Sequence, residues 1–178
     1  VQTCALPLSL TYVLVPALDI AFQALAQLPP YVMVGEHHPL ATQSAVSIQD
    51  LASLPMVLVD MPWSREYLLG LFSEAGVAPN VVMRSSNMEV VRAMVANGVW
   101  FGIANVRPKA HLSQDGKRLI RVRLAGVNKP MQLGYATMAN VQHSMVVNAF
   151  AERCRMFISD QYIPGMAAPS YFDPRVVR

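Results

Sequence analysis

Short apolar runs alternate with segments of helical spacing along the middle of the chain, which predicts strands and helices in succession. Residues 56–60 form a short apolar run typical of a buried strand, and residues 81–83 and 100–104 form two more. Between them, apolar side chains recur at helical spacing over residues 65–75 and 90–95. This β-α-β-α-β order with short connections predicts a parallel sheet with helices on its faces.

Polar residues and glycines mark the ends of both predicted helices. Ser64 is placed to cap the first helix, and Gly76 follows its last apolar residue. Ser86 and Glu89 have the S-x-x-E spacing of a capping box, and Gly98 is placed to end the second helix. We therefore expect Ser64 and Ser86 to be the two N-cap residues.

Two further strands are predicted in the same lobe, at residues 31–35 and 119–124. In the later strand, Arg121 and Arg123 alternate with apolar residues. A row of exposed arginines is typical of a solvated edge strand, so we expect these two side chains to face solvent.

The segments on either side of this lobe have their own apolar pattern. Residues 5–12 and 131–138 are predicted strands, and residues 146–158 have the spacing of an amphipathic helix. A lobe inserted between two such strands indicates two lobes joined by a pair of crossing segments. The proline-containing tail, residues 164–178, is expected to be irregular.

The composition fits a folded α/β protein and gives no sign of a membrane-spanning or nucleic-acid-binding one. The chain has 178 residues, of which 53% are hydrophobic and 14% charged, so it can form a packed core. Its net charge of +3 is too small to indicate nucleic-acid binding by itself. No apolar run approaches the roughly 18 residues that span a bilayer, and no signal peptide is visible. Cys4 and Cys154 have apolar neighbours, which favours reduced buried thiols over a disulfide or a redox switch.

A ligand-binding site is expected where the three parallel strands end, at loops 60–65, 84–87 and 105–108. Two of these loops lead into helix N-termini, where free N–H groups and the helix dipole favour an anion. A carboxylate fits this setting, with Arg65 or Arg107 as its charged partner. Helix capping alone for the serines, and surface solvation for the arginines, are the alternatives that stay open. The other polar residues expected at the site are Ser64, Ser85, Ser86, Asn87 and Asn105.

Motifs for catalysis and metal binding are absent or weak, so no catalytic residue, metal ion or cofactor is expected. His37 and His38 lack a matching cysteine or carboxylate cluster and are expected to be solvated loop residues. The sequence has neither the G-x-S-x-G turn of hydrolases nor a glycine-rich phosphate loop. Trp63, Tyr67 and Trp100 are expected to belong to the core rather than to a stacking surface.

Several stretches, taken in order, resemble the effector-binding domain of LysR-type transcription regulators. Residues 28–34 and 38–41 resemble the entry to the second sensing subdomain of that family. The further matching stretches are residues 46–52 with Leu54-Pro55, the "aGv.P" turn at residues 75–79, the "lVa.G.G..ia" stretch at residues 91–103, Arg107-Pro108, and Ala149-Phe150 with Cys154 in the terminal helix. The similarity covers nearly all of residues 4–158.

The resemblance implies an α/β, periplasmic-binding-protein-like (type 2) fold, in which two subdomains close on a small effector. Subdomain II would be complete over residues 31–130. Subdomain I would be partial, with residues 1–30 and 131–163, and residues 164–178 would be the irregular tail. By the same resemblance the crossing strands contribute to the cleft, so Tyr12 and Thr137 join the candidate effector-binding residues.

The resemblance also implies a function. The chain would be the ligand-sensing domain of a bacterial transcription factor, cytoplasmic and not an enzyme, acting in a homodimer or tetramer. DNA would be contacted only through a helix-turn-helix domain that precedes this segment in the family, and no membrane partner is expected. Two alternatives stay open: a periplasmic-type solute-binding protein, and an enzyme, which would carry a strongly shifted carboxylate or histidine pKa in its cleft.

Overall fold

The computed structural model describes residues 8–13 and 19–158, which divide into two compact units. The insert unit is Pro29–Pro130, and the flanking unit comprises the described residues up to Leu28 and from Met131 onward. Cys4, the start of the first predicted strand and the predicted irregular tail lie outside the described residues. Within the described residues, no helix has the length and apolar character needed to cross a membrane.

Nine strands and four α-helices are described. The strands are β1 (Leu8–Val13), β2 (Ile20–Leu28), β3 (Tyr31–Gly35), β4 (Ala45–Val46), β5 (Pro55–Val59), β6 (Asn80–Ser85), β7 (Phe101–Ala104), β8 (Leu119–Leu124) and β9 (Met131–Met138). The α-helices are α1 (Ile48–Leu51), α2 (Pro62–Glu74), α3 (Met88–Asn97) and α4 (Met145–Phe157), and Pro39–Thr42 forms a 3-10 helix.

The insert unit is built on a six-stranded sheet with the strand order β4-β8-β3-β7-β5-β6. Strand β5 is parallel to its neighbours β6 and β7, whereas β3 is antiparallel to β7 and β8. The predicted β-α-β-α-β unit is therefore confirmed as β5-α2-β6-α3-β7. Strand β4 and helix α1 were not predicted, because two strand residues and a single helical turn are too short to show a period.

The core of the insert unit lies between its central strands and the helices. Val57, Leu58 and Ile103 on β5 and β7 are fully shielded from solvent, and α3 contributes Val91 and Val95. Strands β5 and β7 are continuous apolar runs, as expected for strands whose two faces are both covered. Each such side chain contributes roughly 1.5–3 kcal/mol relative to an exposed position.

The aromatic residues near the predicted helices do not all lie in this core. Tyr67 is buried as predicted, but Trp63 in the first turn of α2 is 60% exposed, so that prediction was wrong for Trp63. Trp100 is half-buried, and its ring lies against Gly98, where a side chain would overlap it.

The prediction of a solvated edge strand for the two arginines was wrong for Arg121. Strand β8 lies inside the sheet, between β4 and β3, because the short strand β4 pairs with its end. Arg121 is half-buried, and its guanidinium donates to the backbone oxygen of Pro108. Arg123 is exposed, as expected.

The prediction of two solvated histidines was wrong for His38. His37 is exposed, but His38 is buried and caps the 3-10 helix, where its Nδ1 accepts a hydrogen bond from the Leu40 N–H at 3.1 Å. Burial lowers the pKa of His38, an effect that a backbone hydrogen bond involving Val99 partly offsets.

Stability is expected to decrease as the pH falls below about 6.5, the ordinary histidine pKa. In that range the unfolded chain binds a proton at position 38 that the folded chain does not, because the folded pKa is lowered. His38→Asn keeps a cap acceptor but does not titrate, so urea unfolding at about pH 7.5 and about pH 5.5 should show a smaller loss in this variant than in the wild type. His37→Asn should behave as the wild type does. An unchanged pH dependence in His38→Asn would contradict the assignment.

The flanking unit pairs β9 with β1 on one side and β2 on the other, in a three-stranded antiparallel sheet. Strand β2 was not predicted from the sequence. Helix α4 packs on Leu25 and Tyr135 through Ala151 and Cys154. The prediction of a buried thiol is confirmed for Cys154, and burial raises the pKa of that thiol.

Candidate functional site

The carboxyl ends of β5, β6 and β7 form one edge of the insert unit's sheet, which we name the loop edge. The three strands are adjacent and parallel, so loops 60–65, 84–87 and 105–108 leave the sheet on this edge. The Asp60 N–H donates to the Ser85 backbone oxygen at 2.8 Å, which joins the first two loops. A hydrogen bond between the side chains of Tyr67 and Asn105 joins α2 to the third loop. The structure thus brings together the three loops that the sequence predicted to converge.

Helix α2 begins at the loop edge without a side-chain cap. Pro62 occupies its first position, and the N-cap residue is Met61, whose side chain offers no hydrogen bond to the helix. The prediction of Ser64 as the N-cap was wrong because a proline, with its fixed φ, starts the helix three residues earlier. The Arg65 N–H bonds to the Met61 oxygen at 2.7 Å, so the N–H groups of Trp63 and Ser64 are the donors left over in this first turn.

Helix α3 begins nearby and, unlike α2, has a side-chain cap. Its N-cap is Asn87, whose Oδ1 accepts from the Glu89 N–H at 2.9 Å, while the Asn87 N–H donates to Ser85 Oγ at 3.1 Å. The predicted capping box of Ser86 with Glu89 was wrong, because the helix begins one residue later, after Asn87, and the Glu89 carboxylate lies 3.4 Å from Arg92 Nε. Ser86 is exposed. The two helix ends therefore differ in that a side chain caps one N–H group of α3, whereas no side chain caps α2.

The third loop is held by donors from neighbouring elements that the sequence analysis did not select. The Tyr31 hydroxyl donates to the Val106 oxygen at 2.8 Å, and Arg121 donates to Pro108, as described above. Buried Arg92 donates to the oxygens of Ala110 and Leu112, at 3.2 and 2.7 Å. The sequence contained a signal for two of these donors, because Arg92 lies beside the apolar stripe of α3 and Arg121 lies within an apolar strand. Hydrogen bonds from charged donors contribute roughly 1.5–3 kcal/mol each, so this loop has a fixed path.

The two arginines predicted to bind an anion differ in whether they already have a partner in the protein. Arg65 pairs with Asp60 at 2.8 Å, so its charge is already compensated. Arg107 is half-buried with its guanidinium carbon 5.5 Å from the Tyr31 ring centroid, and its buried Nε has no hydrogen-bond partner among the described residues. Of these two arginines, only Arg107 has a buried guanidinium nitrogen without a hydrogen-bond partner among the described residues.

Two tyrosines at the loop edge are held in their neutral form. Burial raises the pKa of Tyr31, although the guanidinium groups of Arg121, Arg92 and Arg107 oppose that effect. Burial raises the pKa of Tyr67 to about 12. Both phenols therefore keep their protons for the hydrogen bonds that they donate at ordinary pH.

The remaining candidates, Tyr12 and Thr137, belong to the flanking unit. Tyr12 on β1 pairs with Leu133 of β9, whereas Thr137 pairs with Leu8, so four residues of strand separate the two candidates. Thr137 is buried, and its hydroxyl faces the Ala21 oxygen at 3.5 Å. The structure does not bring these two residues together, and their role in effector binding stays a prediction.

Metal chemistry finds no support in the part of the chain that is described. No group of three or more histidine, cysteine, aspartate or glutamate side chains is placed there to hold a metal ion.

Comparison with known proteins assigns the chain to a family. The family model described as the LysR substrate binding domain matches residues 8–158. The chain belongs to this family. The resemblance inferred from the sequence is thereby confirmed, as is the α/β, periplasmic-binding-protein-like (type 2) fold class.

The relatives compared below are regulators of the LysR type. Over 100 residues the chain is 30% identical to the HTH-type transcriptional regulator CysB of Haemophilus influenzae, covering 53% of this chain and 30% of that protein. Among solved structures, HinK of Pseudomonas aeruginosa, a LysR family transcriptional regulator, is 32% identical with a TM-score of 0.79, covering 84% of this chain and 53% of that one. A putative LysR family regulator from the same organism, the PA01 protein, is 31% identical with a TM-score of 0.80, covering 86% and 54%. This LysR-family chain thus spans about half the length of the solved regulators and less than a third of CysB.

Proposed function

We propose that this chain is the effector-sensing part of a bacterial LysR-type transcription regulator and that its effector is a small carboxylate held at the loop edge. The observation that carries the proposal is the first turn of α2, which lacks a side-chain cap and keeps the Trp63 and Ser64 N–H groups for an anion. Arg107, with its unpartnered Nε, supplies the charged donor from the third loop.

Proteins of the same fold support a sensing role. The effector-binding domain of QuiR was solved in complex with shikimate, and the CcmR regulatory domain of Synechocystis PCC6803 was solved with 2-PG. Full-length CbnR was solved with its target DNA. By analogy, we propose that this chain binds its effector in the cytoplasm, within a homo-oligomer, and that it carries out no catalytic step. Contact with DNA would fall to another part of the regulator. Neither the family model nor the named relatives supports a periplasmic solute-binding protein.

A thermal-shift screen tests the ligand class. Small carboxylates are compared with the corresponding neutral amides, and each hit is confirmed by calorimetry. Because a ligand that binds only the folded state stabilises it, the proposal predicts that some carboxylates raise the melting temperature while their amides do not. Amides that stabilise the chain as well as their acids do would overturn the assignment of an anion site.

Asp60→Asn is expected to tighten carboxylate binding by roughly fivefold, which corresponds to about 1 kcal/mol for one charge near a protein surface. The substitution removes a negative charge at the loop edge and releases Arg65 from its ion pair. Calorimetry with the best carboxylate of the screen measures the change. Glu66→Gln removes an exposed negative charge from the nearby helix α2 and serves as the control. Unchanged or weaker binding in Asp60→Asn would contradict a carboxylate bound close to Asp60.

A further inference from the structure

Tyr67 connects the proposed anion site to the end of the insert unit. It lies one helical turn beyond Trp63 and Ser64 on α2, and its side chain is buried. Its hydroxyl donates to the Lys129 backbone oxygen at 2.8 Å. Lys129 precedes Pro130, where the insert unit ends and the chain continues into β9.

The same hydroxyl fixes the side chain of Asn105. A phenol has one proton, which Tyr67 gives to Lys129, so its bond with Asn105 must be donated by the Asn105 amide nitrogen. Asn105 is itself buried at the end of β7, at the start of the loop that carries Arg107. A single oxygen atom therefore joins helix α2, the third loop and the last residues of the unit.

The other tyrosine of the loop edge lacks this triple connection. The Tyr31 hydroxyl reaches the Val106 oxygen, so it holds the third loop to β3. Only the Tyr67 hydroxyl, among the hydroxyl groups of the described residues at this edge, is bonded both to the third loop and to the segment that leaves the unit.

We infer that Tyr67 is a positioning residue that relays occupancy of the α2 N-terminus to the Lys129 carbonyl group. The relay rests on the proposed function, because an anion must bind that helix end. Helix α2 has thirteen residues and is continuous from its first turn through Tyr67, so we expect an anion drawn to that turn to shift the Tyr67 hydroxyl against Lys129. Two sites are coupled when a ligand changes the geometry of an element that both of them contact.

An acetate titration followed by NMR tests the relay in this chain, uniformly labelled with ¹⁵N and ¹³C. Acetate is the smallest carboxylate probe for the site proposed at the first turn of α2 and Arg107. In the wild type, the Trp63 and Ser64 amide signals and the Lys129 carbonyl ¹³C signal are expected to shift with one common midpoint. In Tyr67→Phe, both amides should still shift, while the Lys129 shift should fall roughly fivefold.

Tyr135→Phe is the matched control, since it also removes a buried phenolic hydroxyl, here one bonded to Gln23 and Arg155 in the flanking unit. This variant should keep the full Lys129 response. If acetate shifts the two amides of wild-type α2 but leaves Lys129 unmoved, the relay is overturned and the anion site stands, whether or not Tyr67→Phe folds. An undiminished Lys129 response in Tyr67→Phe also overturns it. If the two amides do not respond, the proposed function fails and the relay fails with it.

Discussion

Arg107→Ala is expected to weaken binding of the best carboxylate by roughly 10- to 100-fold, because hydrogen bonds to a charged group contribute about 1.5–3 kcal/mol. Arg107 is the arginine of the loop edge whose Nε is buried without a partner, whereas Arg65 is paired with Asp60. Its removal breaks no hydrogen bond described in the free protein but loses the contact with the Tyr31 ring, so the free energy of unfolding should fall by no more than about 1 kcal/mol. Calorimetry gives the affinity, and urea unfolding gives the stability.

Lys109→Ala separates a specific contact from a general loss of positive charge. Lys109 is exposed two residues after Arg107, in the same segment, so both variants remove one positive charge from the same region. The Lys109 variant should lose no more than about twofold in affinity at physiological salt, because exposed charges are screened. Equal losses of affinity in the two variants would show that Arg107 acts only through its positive charge and makes no specific contact.

Gly134→Ala is expected to destabilise the flanking unit by roughly 3 kcal/mol or more, since overpacking against backbone cannot be relieved by a side-chain rotation. Gly134 lies in β9, the central strand of that unit's sheet. A Cβ atom there would overlap the backbone oxygen of Gln23 and the ring of Phe22. Strand β2 already has an irregular register beside this position, between Ala24 and Ala26. Urea unfolding followed by circular dichroism measures the effect.

Gly70→Ala provides the opposite case with the same chemical change. Gly70 lies inside α2, and no atom is within 4 Å of the place that its Cβ would take. Alanine in a helix interior is favoured over glycine by roughly 0.5–1 kcal/mol, so this variant should be more stable than the wild type. A Gly134→Ala variant as stable as the wild type would show that β2 and β9 are not as close as the structure places them.

Elements with a clear apolar period were predictable from the sequence, and elements that depend on their partners were not. The strands that contain Val57 and Ile103 are short, continuous apolar runs, and their length favours a buried strand over a helix. Strand β2 mixes buried, half-buried and exposed residues without alternation at its end, where the register shifts, so no period was visible. The position of β8 inside the sheet depends on β4, a two-residue strand with no signal of its own.

The candidate site was predictable at the level of loops and not at the level of hydrogen bonds. Adjacent parallel strands must end at a common edge, so the convergence of the three loops followed from their order. The predicted cap was wrong at both helices, because Pro62 starts α2 early and Asn87, one residue after Ser86, caps α3. The partners of Tyr31, Tyr67 and Arg121 lie far away in sequence, where no local pattern indicates them.

A crystal structure of this chain with the tightest-binding carboxylate of the screen tests the central claim most directly. The account predicts that the carboxylate oxygens lie within hydrogen-bond distance of the Trp63 and Ser64 N–H groups, with the Arg107 guanidinium as the charged partner. A carboxylate bound at the first turn of α3, or in the cavity of about 560 Å³ beside Thr137 and Arg155 in the flanking unit, would contradict it.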